Sequence, residues 1–297
     1  MKQDKNVLDM LRDRKINIRK PILRASRTKE GKKARLIVFA AITAAVVIVA
    51  FLGRYISPCD PLATDFSAAL VKPGPGHVFG TDSTGRDVMS RVLSGAANSF
   101  ALTFIMIAII AAIGTFIGLM SGFFGGILDA ILMRLTDVLL AFPTTVFAIA
   151  VVGIVGAGLF NTVVALSLVW WTKYARVTRG LSAEIRSKDY IAEARLGGAK
   201  TGKILRAYIL PNILPRVIVM CTMDIGGMML ALAGLSFLGL ASQPPAPEWG
   251  YMLFEGRSYM QVAPWLMIFP GVAIFITVIV FNLLGDSIRD VLDPKDT

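Results

Sequence analysis

Charge-free apolar runs recur along this chain at lengths that a bilayer explains. Leu36 to Gly53, Ser99 to Leu128 and Ser258 to Gly285 are each long enough to cross a hydrocarbon core of about 30 Å as a helix. The run Val138 to Thr172 is too long for one span. It breaks at the glycines of Gly153 to Gly158, so it reads as two helices joined by a tight external turn. Val217 to Leu240 adds a span with one charge, Asp224, which brings the expected total to six spans. Composition agrees: 55% of residues are hydrophobic and 17% charged, with mean hydropathy +0.65, outside the range of soluble domains. The fold class expected is all-α, polytopic, with six transmembrane helices.

The net charge of +11 raises the question of nucleic acid, and its placement answers it. With the N-terminus inside, the cytoplasmic segments hold 26 of the 31 Lys and Arg, and the external side holds Arg54, Lys72, Arg86, Arg91 and Arg257. That asymmetry is the positive-inside pattern, so the basicity is topological, both termini face the cytoplasm, and no nucleic-acid partner is implied. The 35-residue basic arm before the first run is too long for an ordinary signal-peptide n-region, and no small-x-small site follows it. The first run therefore reads as a retained anchor. The arm's apolar residues Val7, Leu8, Leu11, Ile18, Ile22 and Leu23 suit attraction to anionic lipid or a specific partner site.

Catalytic chemistry has little to work with. Cys59 and Cys221 fall in an external loop and inside the fifth span, and the single histidine, His77, reads as a solvated residue of the Pro/Gly-rich loop KPGPGHVFG. No Ser/His/Asp set, metal-ligand spacing or phosphate-binding Gly-Lys-Ser/Thr loop occurs. Asp224 is the one clear intramembrane charge, and a charge there costs about 2.5–3.5 kcal/mol even on lenient scales. It therefore faces water, a partner or a proton. Either it is held at a partner interface, or it lines a cavity where Gly226-Gly227 leave room and attracts a passing cation. Asp224 and Met228, one turn on, are the candidate pathway-lining residues.

A polar island, YIAEARLGGAKTGKILRAYILPN (Tyr190 to Asn212), interrupts this apolar pattern. It follows a fourth span whose end, VWWTKYARVTRG, places Trp170, Trp171 and Tyr174 at the interface and Lys173, Arg176 and Arg179 in the cytoplasm. Arg176 and Arg179 are expected to bind lipid phosphates or a partner's carboxylates. Helix-forming residues flank Gly197-Gly198, and since glycine inside a helix costs about 1 kcal/mol relative to alanine, a bend is expected there. Ile191, Ala194 and Arg195 on one side, and Ile204, Leu205 and Tyr208 on the other, form short apolar ridges suited to a groove on another protein or to the inner leaflet.

The island resembles the cytoplasmic coupling segment of ABC importer permeases, with its Glu-Ala-Ala, three residues, Gly, nine residues and Ile-x-Leu-Pro pattern. Aligned on Leu210-Pro211, the family glycine falls on Gly198 and the second alanine on Ala194, while Ala192 stands at the glutamate position with Glu193 next to it. Tyr208 stands at the isoleucine position. The stretches FGTDSTGRDVMSR, DVLLAFP, LSFLGLASQPPAPEWGYML, APWLMIFPGVAIFITVIVFNLLGD and RDVLDP, in this order, are similar to the dipeptide/oligopeptide/nickel branch of these permeases, as its second, C-type member. In that branch many relatives carry a glutamate at the position of Leu232.

The resemblance implies a type I importer permease in a prokaryotic cell membrane. It implies pairing with a homologous second permease subunit, two ATPase subunits that bind the ATP and Mg, and an extracellular binding protein that delivers peptides, nickel or a metallophore. No cofactor is expected in this chain. The implied coupling residues are Ala192, Glu193, Ala194, Gly197, Gly198, Ile204, Leu205, Leu210 and Pro211, with Pro211 ending the second short helix and starting the fifth span. Trp249 is a candidate for an external gate or binding-protein contact, against a purely structural lid. Asp82, Arg86 and Asp87 form either an ion-paired cap or a substrate contact.

The expected organisation is an arm (1–35), a first transmembrane helix (36–56), an extracellular loop and surface helix (57–98), a five-helix core (99–286) with the coupling segment at about 187–211, and a tail (287–297). An ion-gradient transporter is the alternative from another class, but it calls for several intramembrane ionisable groups or an internal repeat. A membrane enzyme is the third.

Overall fold

The computed structural model describes residues 3–241 and 244–292, with side chains from residue 30 onward. The arm's apolar residues Val7 to Leu23, Ser242, Gln243 and the tail from residue 293 lie outside the described side chains. The described chain is helical: α1 (Gln3–Ile56), α2 (Val88–Phe124), α3 (Gly126–Leu140), α4 (Thr144–Val155), α5 (Leu159–Arg186), α6 (Asp189–Leu196), α7 (Thr201–Lys203), α8 (Leu210–Phe237), α9 (Trp249–Gly256) and α10 (Trp265–Leu292). Among the described residues four helices are long and apolar enough to cross a membrane: Glu30–Ile56, Val88–Phe124, Thr201–Phe237 and Trp265–Leu292. The pair α3 and α4, bent by 88°, makes a fifth if it counts as one span.

Two expected spans take a different form. The second span was expected from Ser99, after a surface helix, yet α2 runs unbroken from Val88. Asp87 caps its first turn by accepting from Ser90 N at 2.8 Å, and Arg91 is neutralised within the chain, so nothing stops the helix before Ser99. The third span was expected to run from Val138 to the break at Gly153 to Gly158. Instead Pro143, without an N–H, ends α3 near Leu140, and α4 has only 12 residues. At 1.5 Å per residue α4 spans about 18 Å, too short to cross alone. The turn between α4 and α5 falls within the predicted glycine cluster, at Gly156–Gly158.

The core is organised on the seam between α2 and α5. Gly114, Gly118 and Gly122 recur every four residues along one face of α2. A β-carbon at Gly114 would stand 2.5 Å from both Trp171 O and Tyr174 Cβ, and one at Gly118 or Gly122 would overlap the carbonyl oxygen of Ala175 or Arg179. Backbone therefore meets backbone, the close approach that small residues at four-residue spacing allow between membrane helices. Ser182 Oγ donates across the seam to Leu119 O at 3.1 Å. This packing buries Trp171 and Tyr174, which were expected at the membrane interface; α5 continues well past them, to Arg186.

Replacing Gly118 with valine is expected to destabilise the purified protein by about 1–3 kcal/mol, the usual cost of overpacking, read as a lower thermal midpoint in detergent. Gly180→Ala, where a β-carbon meets nothing within 4 Å, should leave the midpoint in place. An unshifted midpoint for Gly118→Val would contradict a close-packed seam.

Candidate functional site

Three groups of polar residues stand out on this scaffold. At the end of the bundle where α2 and α5 finish, α6 turns back on itself. Ala199 N donates to Ala194 O at 2.9 Å and Gly198 N to Arg195 O at 3.0 Å, the paired bonds of a Schellman motif, with Gly198 in the left-handed position at φ +80. Gly197 has an ordinary φ of −73, so only the second glycine of the pair is required by the backbone. Arg195 lies over the Phe123 ring, 5.4 Å from its centroid, which ties α6 to the end of α2.

The apolar ridges do not face outward as expected. Ile191 and Ile204 are buried in this chain's own core, Leu205 and Leu210 are half-buried, and Ala192, Glu193, Gly197 and Gly198 are exposed, with Ala194 half-buried. The exposed apolar residue at the tip is Leu196, 89% accessible. Sequence reasoning passed over it, although a leucine directly before a helix-ending glycine pair is the signal that marks it.

Pro211 does not end a helix. α7, a π-helical stretch over Ile204–Ile209 and α8 form one continuous helix, Thr201–Phe237. The proline would clash with the carbonyl four residues back, and the wider turn relieves it: Leu210 N bonds to Leu205 O, and Asn212 Nδ2 donates to the Tyr208 carbonyl at 2.6 Å. The chain leaving the α6 turn thus enters α8, from Thr201 onward, as an unbroken rod.

The second group is a row of cations along α5. Lys173 Nζ reaches both carboxylate oxygens of Asp224 on α8, at 2.7 and 3.0 Å. Arg176 pairs with Asp137 on α3 at 2.7 Å. Arg179 makes a two-point contact with Asp129, both bonds 2.5 Å, and Ser121 Oγ also donates to Asp129. The two arginines, expected to bind lipid phosphate or a partner, are thus satisfied by α3 of the same chain. Lys173 does not lie beyond the end of the helix but at its middle. Asp224, expected to carry a lone negative charge, is compensated by Lys173; Met228 is fully buried.

The third group sits at the opposite end. Arg86 Nε bonds Asp82 Oδ2 at 2.6 Å and its Nη2 bonds Glu255 Oε1 at 2.9 Å. Arg91 closes the ring, to Asp82 and to Glu255 Oε2 at 2.6 Å. This ring fastens the 57–87 loop to α9. Asp87 pairs with His77 at 2.9 Å, so the histidine is a partner within the loop. Trp249 Nε1 donates to Val92 O at 2.9 Å. Asp82, Arg86, Asp87 and Trp249 are all buried, and none presents an outward face for a binding protein. Glu248, not singled out in the sequence, caps α9 by accepting from Gly250 N and Tyr251 N at 2.8 and 2.9 Å. Cys59 and Cys221 are both free. Among the described residues no group of His, Cys, Asp and Glu could hold a metal ion.

An all-α multi-pass protein with a bent helix pair joined to a long apolar helix has the form of a transport permease. Residues 114–295 match the family described as binding-protein-dependent transport system inner membrane component, and the chain belongs to that family. It is 46% identical over 252 residues to the glutathione transport system permease protein GsiD of Salmonella typhimurium, covering 84% of this chain and 83% of that one. It is 44% identical, at the same coverage, to GsiD of Escherichia coli O6:K15:H31. Among solved structures it is similar to the MetNI methionine ABC transporter in an inward-facing conformation, with TM-score 0.55 and 21% identity, covering 69% of this chain and 98% of that chain. The protein is a multi-pass inner-membrane permease subunit of a prokaryotic ABC importer, and is not itself an enzyme.

Burial pushes the Asp82 carboxyl up, but the guanidiniums of Arg91 and Arg86 outweigh it and hold its pKa below the ordinary 3.8. A depressed carboxylate stabilises the fold above its unfolded pKa and loses that contribution as pH falls through the folded value. Amides of residues 57–87 are therefore expected to stay protected from hydrogen exchange at pH 5 and to lose protection only below about pH 4. Asp82→Asn, which leaves two buried guanidiniums undercompensated, should expose them already at pH 7, since breaking such a pair costs about 3–5 kcal/mol. Equal protection in both proteins at pH 7 would contradict the ring's role.

Proposed function

We propose that this chain forms one half of a translocation pathway for short peptides, facing a homologous second permease, with two ATPase subunits beneath and a binding protein outside. α5, 28 residues and about 42 Å long, is read as a further span whose charges set it apart from its apolar neighbours. With the α3–α4 pair counted once, that makes six spans, with both termini and the α6 turn cytoplasmic. The peptide cargo is supported by the relatives named for glutathione transport, glutathione being itself a tripeptide.

The observation that carries the reading is the α6 turn: an exposed Leu196, held by a Schellman motif and followed, after residues 197–200, by the continuous helix that starts at Thr201 and runs into α8. A rigid protrusion of this kind transmits the closure of soluble ATPases into the tilt of a span. Ala192, Glu193, Gly198 and Leu196 make the outer surface of the contact, while Ile204 and Ile191 hold the protrusion to the bundle from within.

Leu196→Asp is expected to leave the amount of inserted permease unchanged and to lower ATP-dependent peptide uptake at least tenfold in proteoliposomes holding the full complex. Ile204→Asp, by contrast, should lower the amount of folded protein. Wild-type uptake by the Leu196→Asp complex would overturn the coupling role.

A further inference from the structure

Lys173 lies 14 residues into α5 from Leu159 and Asp224 lies 13 residues short of the end of α8 at Phe237, so at 1.5 Å per residue their ion pair is about 20 Å in from the same end of the bundle, deep along both helices. Lys173 is 52% exposed and Asp224 12%, so the pair sits at the surface of this chain with its cation outermost. Charge at that depth does not face lipid; it faces a water-filled space or another protein. The same face carries the half-exposed Arg176–Asp137 pair. Gly227, one turn from Asp224, is exposed, and a β-carbon there would be 3.5 Å from the Trp170 ring. The edge of an aromatic ring thus lies against an exposed glycine one turn from the pair.

We propose that Lys173 and Asp224 form a binding site in the pathway for zwitterions, solutes with both a free ammonium and a free carboxylate. This deepens the peptide-permease reading above and rests on it. A zwitterion brings its carboxylate to Lys173 and its ammonium to Asp224, so one internal pair is exchanged for two with the ligand, and both protein charges remain compensated. The flexible lysine stem, already half in solvent, swings to admit it. When the solute leaves, the internal pair re-forms, so the site passes its ligand without trapping it, the balance a conducting site requires. A solute with only one charged end leaves Lys173 or Asp224 unmatched, and the site discriminates against it.

The test uses the purified full transporter complex without its binding protein, so that selection by that protein does not enter. Saturation-transfer NMR compares dialanine with N-acetyldialanine and dialanine amide. Wild type is expected to give at least a threefold larger signal for dialanine than for either blocked form. Lys173→Met should shift the preference to the amide, and Asp224→Asn to the acetylated form, while Lys173→Arg keeps the dialanine preference. Equal signals for the three peptides in the wild-type complex, or a dialanine preference unchanged in both neutral variants, would overturn the site. If the neutral variants fail to assemble, the wild-type comparison decides alone. ATP-driven uptake of dialanine, measured separately with the binding protein present, tests the peptide reading: loss of that uptake with intact discrimination in the NMR assay rejects the cargo and not the site.

Discussion

Everything in this protein that bears on transport hangs from the contact between α2 and α5. Three glycines at four-residue spacing bring the two backbones together, and in lipid such packing replaces the hydrophobic force that water would supply. The seam sets the position of α5, and α5 in turn presents Lys173, Arg176 and Arg179 to carboxylates on α8 and α3. At the far end of α2, Phe123 supports Arg195 and with it the turn of α6. A shift of one helix turn between α2 and α5 would break these contacts together.

The two ends of the bundle are built on different physics. At one end a ring of two arginines and two carboxylates fastens an irregular loop to α9, with buried charges compensated on both sides. Such a ring is costly to break, which suits a part that must hold its shape. At the other end the α6 turn rests on one Schellman motif and a few buried isoleucines, and leaves a leucine in the open. It is the end suited to docking, and its continuous connection through the π-helical stretch joins it to α8.

Much of this was legible in the residues. The long apolar runs mark the membrane helices and Gly198 marks the bend, whereas the start of α2 at Val88 was read too late, at Ser99. Other features were not, for identifiable reasons. Pro211 reads as a stop because proline breaks an α-helix, and nothing local announces the π-register that absorbs it. The Lys173–Asp224 pair joins residues 51 positions apart, and no periodicity within either helix connects them. Pro143 was the missed local signal: it breaks the run expected to start a span at Val138 and leaves α3 and α4 as a bent pair. Gly114, Gly118 and Gly122 were likewise open to view, but their partner face on α5 becomes visible only once the helices are packed.

On the proposed function, the α6 turn is the contact through which ATPase motion enters the permease. A photo-crosslinking amino acid placed at Leu196 in the assembled complex tests it directly. The expected result is a light-dependent adduct whose mass is the sum of this chain and one ATPase subunit, with no such adduct from the same probe at Ile127 on α3. Capture of lipid alone at position 196, with the ATPase subunits present and bound, would contradict it.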